Sequence, residues 1–494
     1  MSLPKFMVLK SNHNKRYLRY IRQGGETNGY LQFSGEEIVS PYVKFEVKMA
    51  KSGNKLVHIR CCYNNKYWRI ESTPKHSWIV ARADEPEEDQ SKSSCTLFKP
   101  TYVDNTAKRV KFLHVHHGGY AKVRIAAAPH DSYLFAVSKN HGGVPTLGDV
   151  YEIIDWESLL IMPKHVAFKG NNGKYLSVRC IEKHQYLQFT SNDVGDPTVG
   201  NEIFTTRDGR IRVKSNHNGK FWRRSNSTNY IWADSSDATN NDSDTLFWPI
   251  KHDKSVVALR NLGNKNYCKG LTTMDKRSFL SVGVFTTSKE ARIKVEELVT
   301  SRHIDNVNFH RLDARIYSKR VLTMDTKVAI NKTKKPNNAK LKLSYKKTES
   351  SSWNASVSSK LDVNTNFKAR VPFIERGKIE ILAESKAYQW GTTKTSSTEV
   401  KEEYEVIVPP MTTMTVRLLA TKGKCDVPFS YTQHDTLTNG KTHTYNMVDG
   451  IYSGINFFDF KYEIQKKKNY DVIKMAQMFV GTTFRNPHKT PLVH

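Results

Sequence analysis

The chain has 494 residues, with 77 lysines and arginines against 48 aspartates and glutamates and a formal net charge of +29. On a prior of roughly 150 residues per domain this is about three domains, each able to bury its own core. The charge favours acidic partners without choosing among nucleic acid, anionic membrane and acidic glycan.

No apolar run approaches the roughly 18 residues of a membrane-crossing helix. The opening MSLPKFMVLKSNHNKRY has no apolar signal core, so synthesis without a signal peptide, in a cytoplasmic or nucleocytoplasmic location, is expected. Six cysteines lie scattered without a CxxC pair, which suggests reduced, mostly buried thiols rather than a disulfide framework or a zinc site.

From the N-terminus the chain repeats itself. FMVLKSNHNKRYLRYI (6–21) resembles VAFKGNNGKYLSVR (166–179), and LVHIRCCYNNKYWRIES (56–72) resembles IRVKSNHNGKFWRRSN (211–226). Within each copy a strand, a turn of Asn, Gly or His, and an aromatic recur. The turns fall at Asn14-Lys15, Asn65-Lys66 and Gly118-Gly119, then at Gly173-Lys174, Gly219-Lys220 and Asn264-Lys265, spaced by roughly 45 to 55 residues. Asn and Gly accept the positive φ of tight hairpins, so each copy is expected to be a threefold, closed all-β barrel, with a β-trefoil the obvious form. Between the copies DWESLL reads as a short helix with Asp155 as N-cap and Pro163 ending the linker.

Past about residue 303 the composition shifts to Ser, Thr and Lys in long alternating runs. Ala355, Val357, Leu361, Val363, Phe367, Ala369 and Val371 share one parity, and Lys360, Asp362, Lys368 and Arg370 the other. The return strand places Ile379, Ile381, Ala383 and Ala387 opposite Lys378, Glu380, Glu384 and Lys386, with VPFIERG (371–377) joining the two. On pattern alone this is a half-buried sheet. About 17 residues at roughly 3.3 Å each also exceeds the hydrocarbon core of a bilayer. A lone hairpin in lipid leaves edge groups unpaired, so insertion implies a ring of copies, with the apolar parity on lipid and the charged parity on a wet lumen.

Two resemblances add to this reading. IDWESLLIMPKHVAFKGNNGKYLSV, CTLFKP, YLQFS and KSNHN resemble the amaranthin-type plant lectins, which implies two β-trefoils joined by a short helix over roughly residues 1–300. YQWGTTKT, VPPMTTMTV and VPFSYTQHDT, with the hairpin, resemble the aerolysin-type pore-forming proteins over roughly residues 305–465. The expected fold class is therefore all-β: two tandem trefoils (1–154 and 164–302) around a helical linker (155–163), then an elongated antiparallel aerolysin-like domain (303–494).

The lectin resemblance implies a galactose/N-acetylgalactosamine-type site on TPKHSWIVA, with Lys75, His76, Ser77 and Trp78 as contacts and Tyr230 as the counterpart in the second copy. Lys75 and Ser77 depart from the family's Asn and Tyr. Trp68 and Trp222 are expected to pack in cores. The aerolysin resemblance implies a lipid-facing set of Val357, Leu361, Val363, Phe367, Ile379 and Ile381, a lumen-facing set of Lys360, Asp362, Lys368, Arg370, Glu380 and Glu384, and an anchoring tip of Val371, Pro372, Phe373 and Ile374.

The expected partners are cell-surface or glycoprotein glycans, a lipid membrane after activation, and further copies of the chain in a ring. A nucleic-acid partner is not expected, because the basic residues are dispersed. HVHH (114–117) and DEPEEDQ (84–90) read as a solvated turn and a solvated acidic loop; no metal or other cofactor is expected. Without a phosphate loop, GxSxG or HExxH, no enzyme is expected. The tribasic run at Lys466–Lys468 before an amphipathic stretch reads as a solvated charge run or a weak nuclear localisation signal; the aerolysin resemblance implies an activating cleavage there as the alternative.

Overall fold

The computed structural model describes residues 2–22, 24–104, 106, 108–125, 131–137, 147–271, 278–357, 363 and 365–468. Among them no α-helix occurs; strands dominate, with short 3-10 turns. Two sheets of twelve strands come first. In the first, strand Phe6–Ser11 pairs antiparallel with Tyr151–Asp155, from Met7↔Asp155 to Ser11↔Tyr151. In the second, His165–Lys169 pairs with Ile293–Glu297, from Val166↔Glu297 to Lys169↔Lys294. Joining first strand to last closes each sheet on itself, as a trefoil barrel requires.

The six turns legible in the sequence each contain one residue in the left-handed region: Lys15, Asn65, Gly118, Gly173, Gly219 and Lys265, with φ between 58° and 75°. In five of them the preceding residue is an Asn whose amide donates to a carbonyl of the following hairpin. These bonds run from Asn14 to Phe33, Asn64 to Ala81, Asn172 to Phe189, Asn218 to Ala233 and Asn264 to Val282, at 2.8–3.4 Å. Each ties its turn to the next strand pair, so the repeat is one of hydrogen bonding as well as of pattern. Trp68 and Trp222, each wholly buried, fill the two cores as expected.

The linker departs from the expected helix. Asp155 does cap it, accepting from Glu157 N at 3.0 Å, but only the 3-10 turn Trp156–Ser158 follows. Trp156 buries against Val8, Tyr17, Ile38 and Val43 of the first trefoil. Three residues of turn suffice to seat that ring, and the chain then runs on extended from Leu159.

The third domain's sheet begins at Val299, which pairs with Leu437. Its spine is a ribbon of two strands, Thr412–Leu437 and Thr442–Lys468, of 26 and 27 residues, or roughly 85 Å at about 3.3 Å per residue. Their ladder runs from Thr412↔Lys468 to Thr436↔Thr442. Strands Val299–Phe309 and Arg315–Asn331 flank one side of the ribbon, and Asn337–Ala355 with Thr393–Val408 the other.

The remaining pair, Asn366–Glu375 and Lys378–Gln389, forms a separate two-stranded sheet. This hairpin differs from expectation in three ways. Residues 355–373 are not one strand, since Ala355 ends one and Asn366 begins the next. The turn is Arg376-Gly377, with φ of 47° and 73°, so Val371, Pro372, Phe373 and Ile374 are strand residues flanking the turn rather than its tip. A register shift between Arg370 and Pro372 sets Arg370 opposite Ser385 but Pro372 opposite Ile381.

At this irregularity Val371 alone faces Leu382, Ala383 and Glu384, two extra residues on the return strand, and the buried parity reverses across it on both strands. Phe367 and Ala369 are buried before it, and Pro372 and Ile374 after it. On the return strand Ile379 and Tyr388 are buried, Ile381 is half-buried, and Ala383 and Ala387 are exposed. Lys368, Arg370 and Glu384 are exposed, and Val357 and Val363 half-buried. Lys360, Leu361, Asp362 and the stretch after Lys468 lie outside the described residues.

Candidate functional site

Two places carry chemistry beyond packing, and the first lies on the first trefoil. Strands Tyr67–Ser72 and Ser77–Ala83 pair antiparallel, with Ser72↔Ser77 beside the turn that joins them. There a cleft of about 610 Å³ is lined by Arg69, Glu71, Ser72, Ser94, His116 and His117, among others. That volume suits a small ligand of pyranose or disaccharide size. Ser77 Oγ lies at its edge, 3.2 Å from Ser72 Oγ and 3.1 Å from His117 Nε2.

His117 occupies the position where the other five turns carry Asn, directly before left-handed Gly118. Here the side chain turns towards Ser77 instead of a neighbouring carbonyl. Partial burial pushes the His117 pKa down, so the imidazole is neutral near pH 7 and offers one N–H and one acceptor. Glu71 is ion-paired to both Arg69 and Arg82, which balances its charge. A hydroxyl-rich, charge-balanced cleft matches a polyhydroxylated ligand by hydrogen bonding.

The expected loop contacts divide. Ser77 borders the cleft, bonded to Ser72 and His117, and Lys75 is exposed on the adjoining turn. His76 turns to the Arg124 guanidinium and sets its ring edge-on to Trp78. Trp78 is not the exposed loop platform expected from its segment. It is 4% exposed and packs with Ile21, Val80 and Tyr133, on the strand face opposite the main core, which takes Ile79 and Ala81.

The ladders confirm Tyr230 as its counterpart. Trp68 pairs Ala81 and Trp222 pairs Ala233, which sets Tyr230 at the place of Trp78. Tyr230 is half-buried, edge-on to Tyr186 and Phe279. Sequence reasoning passed over Arg69, Glu71 and Ser94 and read His116 and His117 only as part of a solvated turn, whereas His117 is half-buried; the signal available was the loss of the repeat's Asn at 117.

The second place is the seat of the hairpin. Trp353, 1% exposed, stands at its centre, with Phe367 edge-on at 5.1 Å and Tyr388 at 5.2 Å from the hairpin side. Phe429 and Tyr452 of the ribbon close the other side at 5.4 and 5.0 Å. Burying Phe367, Ile374, Ile379 and Tyr388 contributes on the order of 1.5–3 kcal/mol each before ordering costs.

Backbone bonding is sparse by comparison. Asn456 of the ribbon donates from Nδ2 to Ile374 O at 2.8 Å and accepts from Ile374 N at 3.0 Å. One amide thus stands in for a missing ladder pair. The hairpin is held by its side chains.

Compared with known proteins, the agglutinin domain family model matches residues 1–155 and 161–293. The chain belongs to that family. Among solved structures it is similar to a lamprey immune protein, with a TM-score of 0.31 and 12% identity over 73% of this chain and 87% of that one. It is also similar to an aerolysin-like protein of Bombina maxima, with a TM-score of 0.23 and 12% identity over 33% and 99%. A mosquitocidal holotoxin gives a TM-score of 0.28 and 10% identity over 63% and 37%. No curated protein matches the chain.

Proposed function

We propose that this protein is a lectin that captures a galactose/N-acetylgalactosamine-type glycan and carries a pore-forming β-hairpin to the membrane displaying it, in plant defence. The observation that carries the pore half is the separateness of the hairpin. Among the described residues its two strands pair only with each other, so it can leave without dismantling a ladder.

Once free, Val357, Leu361, Val363, Phe367, Ile379 and Ile381 face lipid. Lys360, Asp362, Lys368, Arg370, Glu380 and Glu384 face the lumen, with Val371 to Ile374 beside the turn in the far leaflet. This arrangement requires the bulge of Leu382–Glu384 opposite Val371 to be lost, restoring one parity from end to end. It also requires several copies, because two strands cannot satisfy their own edges in hydrocarbon.

The lectin half is placed at the cleft, with Ser77, His117, Ser72 and Glu71 as the polar contacts and Lys75 at its edge. Capture raises the local concentration of copies and so favours assembly. The basic surface adds attraction to anionic headgroups, about 1 kcal/mol per residue close to the bilayer.

The test is release of graded dyes from liposomes with and without a displayed galactose-N-acetylgalactosamine glycan. Glycan-dependent release with a size cut-off is expected, and Phe367→Asp abolishes it while sugar binding persists. Binding without release, in wild type and after removal of the stretch beyond Lys468, overturns the pore half and leaves a non-lytic glycan-binding stress lectin whose third domain serves for oligomerisation.

A further inference from the structure

We infer that the first trefoil is the clamp that keeps the hairpin folded on the third domain, so that the hairpin is freed when this trefoil moves away. The use of the freed hairpin rests on the function proposed above, whereas the clamp is a property of the soluble chain.

The hairpin segment is gripped at both ends. At its root, Lys44 Nζ of the first trefoil donates to Ser356 O at 2.9 Å. Lys44 also lies 4.9 Å from the Trp156 ring centroid. The next residue, Val357, packs into the cluster of Val8, Ile38 and Trp156. At its turn, Glu380 pairs with Arg311 at 3.5 Å.

Arg311 belongs to the 3-10 turn Arg311–Asp313, and Asp313 is fastened to the first trefoil. It is 2% exposed and accepts from Tyr20 Oη at 2.6 Å, Asn28 Nδ2 at 2.9 Å and Tyr63 Oη at 3.2 Å. Its neighbour His310 shares Tyr63 Oη at 2.7 Å. A cleft of about 1050 Å³ brings the three parties together, with Arg22, Asn28 and Asp84 from the trefoil, Leu312 from the 3-10 turn, and Lys378 and Glu380 from the hairpin.

Two further bonds extend the grip to the ribbon and its flanking strand. Arg315 Nε donates to Asp84 O at 2.6 Å, and Asn65 Nδ2 to Asp426 Oδ2 at 3.1 Å. Separating the first trefoil releases the root of the hairpin segment directly and strips Asp313 of three donors, which loosens the 3-10 turn whose Arg311 holds Glu380. The second trefoil meets the ribbon elsewhere, where His165 Nε2 lies 2.7 Å from Tyr445 Oη. It serves as an internal control.

The experiment is hydrogen exchange over residues 366–389 in the full chain, without membrane. Asp313→Asn and Lys44→Met each leave a buried polar group unmatched, and exchange there is expected to rise about tenfold. His165→Gln leaves it unchanged. Should the buried variants misfold, the exposed pair answers alone: Glu380→Arg speeds exchange and adding Arg311→Glu restores it.

Unchanged exchange in folded Asp313→Asn and in Glu380→Arg overturns the clamp, whatever the liposomes show. Faster exchange with no dye release from any variant leaves the clamp standing and removes the pore reading.

Discussion

A trefoil strand and a hairpin strand are held by different means. In the trefoils each strand shares backbone ladders with neighbours, closed by pairs such as Met7↔Asp155 and reinforced at five turns by an asparagine amide. The hairpin has one internal ladder, one amide from Asn456 and an aromatic seat on Trp353. Ladder bonds make a structure cooperative, because one is lost only with its neighbours. Side-chain seating lets a piece detach while the rest stays folded.

The difference is broken most forcefully at the two buried tryptophans. Trp353→Ala and Trp68→Ala each cost about 3–5 kcal/mol. We expect the first to abolish hairpin protection in hydrogen exchange while both trefoils keep theirs, and the second to lower the melting temperature of the whole first trefoil. Equal loss of trefoil protection in both variants contradicts the separateness of the hairpin.

Acid tests the seams between modules. His310 faces Tyr63, Asp313 and Arg22, and burial pushes its pKa down to about 4. His165 faces His443, Tyr445, Lys164, Glu202 and Asp435, and its pKa too is pushed down to about 4, again mainly by burial. A folded pKa below the free value means that the unfolded or undocked state binds more protons. The stabilisation is therefore complete above about 6.5 and is lost as pH falls towards 4, by up to about 3 kcal/mol per histidine. A melting temperature that falls over this window, less steeply in His310→Gln, is the expected result; a flat profile is the contrary one.

A smaller effect is expected at Asn456→Leu, which leaves Ile374 N–H and C=O unmatched at about 1–3 kcal/mol. Hairpin exchange should quicken, whereas Asn218→Ala, which deletes one turn bond to Ala233, should be felt across the second trefoil in thermal melts. The smallest effect on stability is expected at His117→Asn, which installs the residue found at the other five turns. Melting should hardly move while glycan affinity falls about tenfold through loss of one well-placed hydrogen bond. Unaltered affinity detaches the cleft from sugar binding.

How much of this was legible in the sequence follows from how local each cause is. The six turns were legible because a left-handed φ is a property of one residue, and Asn, Gly or Lys after Asn announces it. The buried places of Trp68 and Trp222 followed from the same period. Trp78 was misplaced as an exposed aromatic because its strand is covered on both faces: Ile79 and Ala81 meet the core, while Trp78 and Val80 meet Ile21 and Tyr133, which come from distant segments.

The hairpin was legible as two alternating strands but not as bulged, because alternation on either side of Val371 is also compatible with an unbroken register. The lapse at Leu382 was the trace the bulge left. The grip on Asp313 had no trace at all. Its partners Tyr20 and Asn28 are 293 and 285 positions away, and Asp84 and Glu85, read as a solvated loop, bond to Arg315 and Ser318 only because the fold brings them together.

The sixth turn has a further meaning. A unit copied six times supplies six equivalent corners, and a corner held as well by its strands can give up its own fastening with little harm to the rest. At 117 the repeat has done so, and the ring set free there meets the Ser77 hydroxyl instead of a carbonyl. Redundancy in the scaffold thus becomes raw material for recognition: a duplicated architecture can try new ligands one corner at a time while the remaining five keep the barrel shut.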